Sequence, residues 1–231
     1  MSNDNDTVRL NKYLALHKGV SRREADNLIS TGNVSINGEM AAIGSRVAPG
    51  DTVTVDGETI DDTTAYQYIM LHKPVGYVCS RLAQGDNPTI YSLLPEKYHA
   101  LKSVGRLDRD TSGLIILTND GDFAQQMTHP KFYKIKRYIV SLDHDLQPLH
   151  HQMINDIGVN LDDGKSQLTL ERHTEGNSRD WVITMSEGRN RQIRRTFDAL
   201  GYTVVKLHRT DFGNYTLGDL PSGKFQEVTK L

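Results

Sequence analysis

The sequence predicts an α+β chain: a small N-terminal module of two short helices and a little sheet, then a larger domain built on a mainly antiparallel sheet. Three observations carry this reading. Segments of helical period are few, and alternating or continuous apolar runs outnumber them. Turn pairs such as Asn37-Gly38 and Asp56-Gly57 lie between closely spaced strands, as hairpins require. Strands joined by short turns pair antiparallel more readily than parallel.

Taken in order, residues 1–6 are polar and acidic and read as a disordered tail. In "VRLNKYLALHKGV", Leu10, Tyr13, Leu14 and His17 fall at helical spacing. A second helix starts at Ser21, whose N-cap position and Glu24 three residues on form a capping box, and Gly32 stops it. Leu10, Leu14, Ala25, Leu28 and Ile29 give the two helices a shared apolar face. Short strands with turns at Asn37-Gly38, Pro49-Gly50 and Asp56-Gly57 follow. The module is placed at 7–55, a size that holds only a thin core. The acidic "DGETIDDTTA" reads as a linker over 56–66, and the larger domain runs over 67–231. Within it, "YQYIMLHKP", "GLIILTND", "KIKRYIVSL", "SQLTLERHT", "DWVITMSEG" and "TVVKLHRTDF" read as strands. "GDFAQQMTHP" reads as a short helix, and "NRQIRRTFDALGY" as a longer one with Ile193, Phe197 and Leu200 on one face.

Bulk properties exclude several classes. Hydrophobic content of 37% and charged content of 24% suit a globular protein with a real core. Nothing approaches the ~18 consecutive apolar residues of a membrane span, and no apolar stretch follows the polar start, so a cytoplasmic protein is expected. A single cysteine, Cys79, forms no internal disulfide, and no Cys/His cluster suggests zinc. His144, His150 and His151, near Asp143 and Asp145, read as structural or surface residues, so no metal is expected. A net charge of −2 argues against a uniformly basic nucleic-acid binder. Basic residues nevertheless cluster at Arg9–Arg23, "KFYKIKRY" and "GRNRQIRR". No obvious self-pairing stretch is present, so a monomer is expected.

The most unusual stretch is "SVGRLDRDTSGLIILTNDGD", residues 103–122, where Asp108 and Asp110 alternate with Arg106 and Arg109 just ahead of a buried strand. From charge pattern alone Asp108 and Asp110 have equal claims to a chemical role. Asp110 before Thr111 and Ser112 also has a plain reading as a turn cap, and Asp120-Gly121 reads as a turn.

"GRLDRDTSGLIILTNDGD" resembles the active-site segment of the pseudouridine synthases, whose GRLD-type motif supplies the catalytic aspartate. "LHKPVGYVCS" is similar to that family's KPxG segment, "KIKRY" to its tyrosine-bearing strand and "SEGRNRQIRR" to its C-terminal basic motif, all in the family's order. The N-terminal "VRLNKYLALHKGVSRREADNLISTGNVSINGE" resembles an S4 (αL-type) RNA-binding module. The combined layout is like the RsuA/RluB/RluF branch, and "RLNKYL", "SRREAD" and "NRQIRR" look closest to its large-subunit enzymes. A histidine is more usual at the position of Arg191 in the small-subunit type.

The resemblance implies isomerisation of uridine in ribosomal RNA: the N1–C1′ bond breaks, the uracil turns, and it rejoins through C5. Nothing is added or lost, so no cofactor is implied. Asp108 maps to the catalytic carboxylate, and whether it attacks sugar or base stays open. Burial would neutralise that carboxylate, whereas a guanidinium within about 4–6 Å keeps it ionised. The resemblance gives that task to Arg194. Tyr138 maps to the active-site tyrosine that stacks on the flipped base, which offsets part of the unstacking cost. Arg106 would grip phosphate or fill the gap the base leaves. Gly105 and Gly113 would allow close backbone approach, and Leu107 would point into the core. For RNA holding, Arg9, Lys12, Ser21, Arg22, Arg23 and Asn33 belong to the N-terminal module, where the start of the second helix suits a phosphate, and Asn37 could add a contact. Lys73, Arg189, Asn190, Arg191, Gln192 and Arg195 would line the catalytic cleft. Two other classes compete: a catalytically silent RNA-binding protein, and a glycosidase using Asp108 and Asp110. Arginines beside Asp110 would hinder it from staying protonated as a general acid. Small-subunit rRNA and transfer RNA are the alternative substrates.

Overall fold

The structure, a computed structural model, describes residues 7–81 and 85–231; the tail assigned to 1–6 lies outside the described residues. The chain divides into two compact units, one of residues 7–67 with 100–102 and 118–121, the other of the remainder.

The first unit opens with strand β1 (Val8–Arg9), helix α1 (Leu10–His17) and helix α2 (Arg22–Ser30). The capping box forms as expected: Glu24 N donates to Ser21 Oγ at 3.1 Å, and Ser21 N donates to Glu24 Oε2 at 2.6 Å. Gly32 follows with φ +76°, a left-handed stop. Strands β2 (Val34–Ile36), β3 (Glu39–Met40), β4 (Arg46–Val47), β5 (Val53–Val55) and β6 (Glu58–Thr59) complete it. β1 pairs with β4, and the other four form a sheet in the order β3-β2-β5-β6. Asn37-Gly38 and Asp56-Gly57 each take positive φ at both positions, the geometry of two-residue type I′ hairpins. The core is small: Leu10, Leu14, Ala25, Ile29, Val34, Val47, Val53 and Val55, with Leu28 only partly buried.

One boundary needs correction. The module does not end at 55, nor does the linker start at 56, because β6 pairs with β5 and Ile60 N donates to Val53 O at 2.9 Å. An exposed edge strand needs no apolar residues, so acidic composition concealed it.

The second unit is built on a nine-stranded sheet. Its early elements are β7 (Tyr68–Lys73), β8 (Lys102–Ser103), β9 (Ser112–Thr118), helix α3 (Gly121–Thr128), β10 (Lys136–Leu142) and helix α4 (Pro148–Gln152). A two-stranded hairpin, β11 (Val159–Leu161) with β12 (Gly164–Ser166), precedes β13 (Thr169–Arg172) and β14 (Asp180–Met185). Helix α5 (Gln192–Asp198), β15 (Val204–Phe212), β16 (Tyr215–Thr216) and β17 (Phe225–Glu227) complete the chain. The sheet runs β13-β14-β10-β15-β9-β7-β17, with β16 beside β15 and β8 beside β9. It is mainly antiparallel, as expected, with β9 and β15 paired parallel.

β9 is buried on both faces, with Leu114, Ile115, Ile116 and Leu117 at zero exposure, which explains its continuous apolar run. Leu114 and Ile116 pack with Phe123 and Met127 of α3 and with Phe212 and Tyr215. On α5 the expected Ile193 and Phe197 are buried, together with Gln192 and Thr196, whereas Leu200 lies beyond the helix and is half-buried.

Candidate active site

The loop 104–111 joins β8 to β9, and three groups fix it from the β7 side. Lys73, at the end of β7, is fully buried, and its ammonium donates to the carbonyls of Thr111 at 2.7 Å, Pro74 at 3.0 Å and Arg109 at 3.4 Å. Gly76 N donates to Arg109 O at 2.7 Å. The Cys79 thiol accepts from Leu107 N and donates to Leu107 O, both at 3.4 Å. Leu107 is thereby held in the core, and Asp108 is turned the other way with its side chain 36% exposed. Burial pulls the Lys73 ammonium down to about 8, against the opposing pull of Cys79, Asp110 and Asp108.

Lys73 therefore does not line the cleft as an RNA ligand. A lysine whose donors are spent on three carbonyls in the interior is a clamp on the loop that carries Asp108. The KPxG segment acts here as the loop's foundation.

From the other side come the arginines of α5 and the segment before it. Arg191, with φ +47°, reaches Asp110 Oδ1 at 3.3 Å and Asp108 Oδ2 at 3.6 Å. Arg194 makes its direct ion pair with Asp110, while the charge of Asp108 acts on it from farther away. Its Nη2 meets Asp110 Oδ2 at 3.3 Å and donates to Asp110 O at 2.9 Å, and its Nη1 donates to Val204 O at 2.8 Å. Asp110 is thus an ion-pair hub rather than a plain turn cap. Burial pushes its carboxyl up, but Arg194, its own backbone N–H and Arg191 outweigh that and hold it below the usual range. The consequence is a division of labour: Asp110 ties the loop to α5, and Asp108 makes, among the described residues, one ion pair, to Arg191 at 3.6 Å.

Asp108 lines a cavity of about 630 Å³ together with Arg106, Tyr138, Arg191, Arg194 and Arg209. Arg106 and Asp108 also line a neighbouring polar cleft, so the loop forms a partition between the two. Arg106 is exposed and spends no hydrogen bond on the described residues, as a group for a substrate would. Tyr138, on β10, is 8% exposed and sits opposite Arg209 of β15. Thr111 Oγ1, Arg194 Nε and Arg209 Nη2 belong to residues lining this cavity and are buried without an acceptor or donor.

Gly113 fixes the geometry where the loop enters β9. It pairs with Arg209 in the parallel β9–β15 register, and a Cβ there would lie 2.2 Å from Arg209 O. Gly105 needs its glycine for φ +72° rather than for space.

Of the other residues assigned to RNA, several are occupied by the protein itself. Arg189 donates to Asp163 Oδ1 at 2.8 Å and to the carbonyls of Asp163, Gly164 and Lys165. Arg195 pairs with Asp163 Oδ2 at 2.7 Å and donates to Asn190 O. Gln192 is buried, bonding Ser166 Oγ and Arg189 N. These three brace the β11–β12 hairpin, and Arg189 and Gln192 also line the cavity, whereas Arg195 does not. Asn190 and Arg191 remain exposed at the cavity.

In the first unit Arg9, Arg22, Arg23 and Asn33 are exposed, and Lys12 is half-buried. Ser21 is the cap of α2. Glu24 closes that helix start through the capping box. Asn37 is likewise engaged, by Asp51 and Thr52 N. His144 and His150 pack against Tyr202, with His150 Nδ1 2.7 Å from its hydroxyl, which gives both a structural setting.

Sequence reasoning passed over Arg209 and Lys136. Arg209 is 2% exposed and carries no carboxylate partner among the described residues. Lys136 Nζ donates to the carbonyls of Ser186, Glu187 and Lys134. The only available signal was a basic residue among the apolar residues of two strands.

A carboxylate among arginines at a cavity of about 630 Å³, roomy enough for a nucleotide, is the geometry of an enzyme site. Residues 67–199 match the family described as RNA pseudouridylate synthase, residues 8–53 match the S4 domain, and the chain belongs to the RNA pseudouridylate synthase family. It is 38% identical to the ribosomal small subunit pseudouridine synthase A of Pasteurella multocida, over 96% of this chain and 96% of that protein. It is 36% identical to the dual-specificity RNA pseudouridine synthase RluF of Escherichia coli O157:H7, over 96% of this chain and 76% of that one. A solved structure of a pseudouridylate synthase aligns with TM-score 0.68 and 34% identity over 96% of both chains. The chain is accordingly a pseudouridine synthase of the RsuA/RluF type. Among the described residues no helix is long and apolar enough to cross a membrane.

Proposed function

We propose that this enzyme isomerises a uridine of ribosomal RNA in the cytoplasm, with Asp108 as the catalytic carboxylate. The observation that carries the role is the division between the two aspartates. Asp110 consumes Arg194, whereas Asp108 faces the cavity with one 3.6 Å contact to Arg191. An acid so placed has lone pairs available to a substrate. Tyr138 lies along the same wall, where its ring would stack on the extruded base. Arg106 would hold phosphate or the vacated stack. Exposed Arg9, Arg22 and Arg23, with Lys12 and Asn33, would hold RNA by shape and charge. No cofactor is required, and the enzyme would act as a monomer.

Large-subunit RNA is the first substrate, because "RLNKYL", "SRREAD" and "NRQIRR" resemble the large-subunit enzymes. The full-length likeness to small-subunit synthases supports small-subunit RNA as the second reading.

Isomerisation must expel the C5 hydrogen, whereas binding or simple hydrolysis of the glycosidic bond does not. The test is therefore tritium release from each rRNA transcript, labelled at uridine C5, by the unaltered enzyme and by Asp108→Ala. Release only by the unaltered enzyme is expected, with a loss of at least about 10³-fold in the variant. Comparable release by the variant would remove Asp108 from its role.

A further inference from the structure

The cavity that holds Asp108 has a second charged wall that the roles assigned above leave unused. Arg209 is 2% exposed; its Nε–H donates to Leu114 O at 2.8 Å, and Nη2 is buried with no acceptor. No carboxylate pairs with it among the described residues. Its Cζ lies 4.8 Å from the centroid of Phe212, and Lys136 Nζ lies 5.6 Å from the same ring. All three residues line the cavity, and Tyr138 stands directly across the strand from Arg209. Lys136 has three carbonyls for its three protons, so it contributes field rather than a free donor. Isolated buried cations are costly and are kept where a partner completes them. Asp108 and Glu187 line the same cavity, and Glu187 acts on Lys136, but among the described residues no carboxylate pairs with Arg209, which leaves its open Nη2 to the substrate.

We propose that Arg209 receives the oxygen atoms of the flipped uracil and, with the field of Lys136, stabilises the negative charge the base carries after it leaves the sugar. When the N1–C1′ bond breaks, its electron pair stays on the base, and uracil becomes a monoanion spread over N1, O2 and O4. When the base rejoins, its electrons form the C5–C1′ bond, C5 loses its proton and N1 gains one. A guanidinium edge offers donors to ring oxygens while the base turns, so the contact survives rotation better than one built for a single oxygen. The proposal rests on the reading that this cavity takes the uridine.

The probe is barbiturate, a pyrimidine that is anionic at neutral pH, compared with neutral uracil by ligand-detected NMR on the full chain. The unaltered protein is expected to bind barbiturate at least about tenfold more tightly. Arg209→Gln should abolish the preference and lower the single-turnover rate by about 100-fold, with RNA affinity within twofold. Arg209→Lys should retain part of both and serves if the glutamine variant fails to fold. No preference in the unaltered protein, or a preference that survives Arg209→Gln, overturns the proposal. Failure of the Asp108 reading is separate, because it would register as tritium release persisting in Asp108→Ala whatever barbiturate does.

Discussion

Two arginine-rich stretches look alike in the sequence and end in different states. In the segment from 189 to 195, Arg189 and Arg195 clasp Asp163, Arg194 holds Asp110 and Val204 O, and Arg191 bridges both aspartates of the loop. In the N-terminal stretch, Arg9 and Arg23 stand exposed on β1 and the first turn of α2, whose opposite face is core. The difference lies in what the fold brings to them. Asp110 and Asp163 arrive from distant parts of the chain, and a planar fork suits clustered carbonyls and carboxylates. Density of positive charge therefore does not decide which cations the fold itself uses; the supply of internal acceptors does.

The largest effect expected on the catalytic unit comes from the backbone beneath this network. Gly113→Ala forces a Cβ to 2.2 Å from Arg209 O at φ +114°, and should cost about 3 kcal/mol or more in urea unfolding. A loss under about 1 kcal/mol would mean that the β9–β15 approach can give way.

Lys73→Met comes next and tests whether a basic residue of a family motif serves the loop or the RNA. The single-turnover rate should fall about tenfold as the loop loosens, with RNA affinity within twofold. A large loss of affinity would restore Lys73 to the RNA surface. The pH dependence gives a second readout. The folded-state value of about 8 lies below the ordinary 10.5, so between these the unfolded chain holds a proton the native one has lost. Stability from Lys73 accordingly rises with pH across that window, and Lys73→Met should flatten the slope seen in denaturation between pH 8 and 10.

The smallest effects separate the two stretches directly. Arg9→Ala with Arg23→Ala should lower the slope of log affinity against log salt by about one per residue, leaving the melting temperature in place. Arg189→Ala with Arg195→Ala should lower the melting temperature of the catalytic unit and leave the salt slope unchanged. Exchange of these outcomes would break the comparison.

What was legible in the sequence was local. The capping box at Ser21 and Glu24, the hairpin turns at Asn37-Gly38 and Asp56-Gly57, and the buried run of β9 all follow from neighbours within a few residues. The family motifs added the enzyme class. The partners of charged groups were not legible, because Arg194 meets Asp110 across 84 residues and Lys73 meets Thr111 across 38. Spacing along the chain carries no information about such pairs. Arg209 was hidden for a related reason: in "TVVKLHRTDF" it reads as one polar residue of an alternating strand, and its burial depends on β9 lying beside it.

The parallel β9–β15 pairing has a kinetic consequence. Arg209 Nε bonds Leu114 O across 95 residues, so the strand that follows Asp108 finds its neighbour only after most of the chain exists. Contacts of such long range close slowly, because loop entropy must be lost before they form. During synthesis the N-terminal module, whose buried core lies between Leu10 and Val55, can fold while the catalytic loop still lacks β15. The emerging protein would then hold a nucleic-acid-binding head well before it holds a competent centre, and turnover would begin only once residues up to 212 have left the exit tunnel.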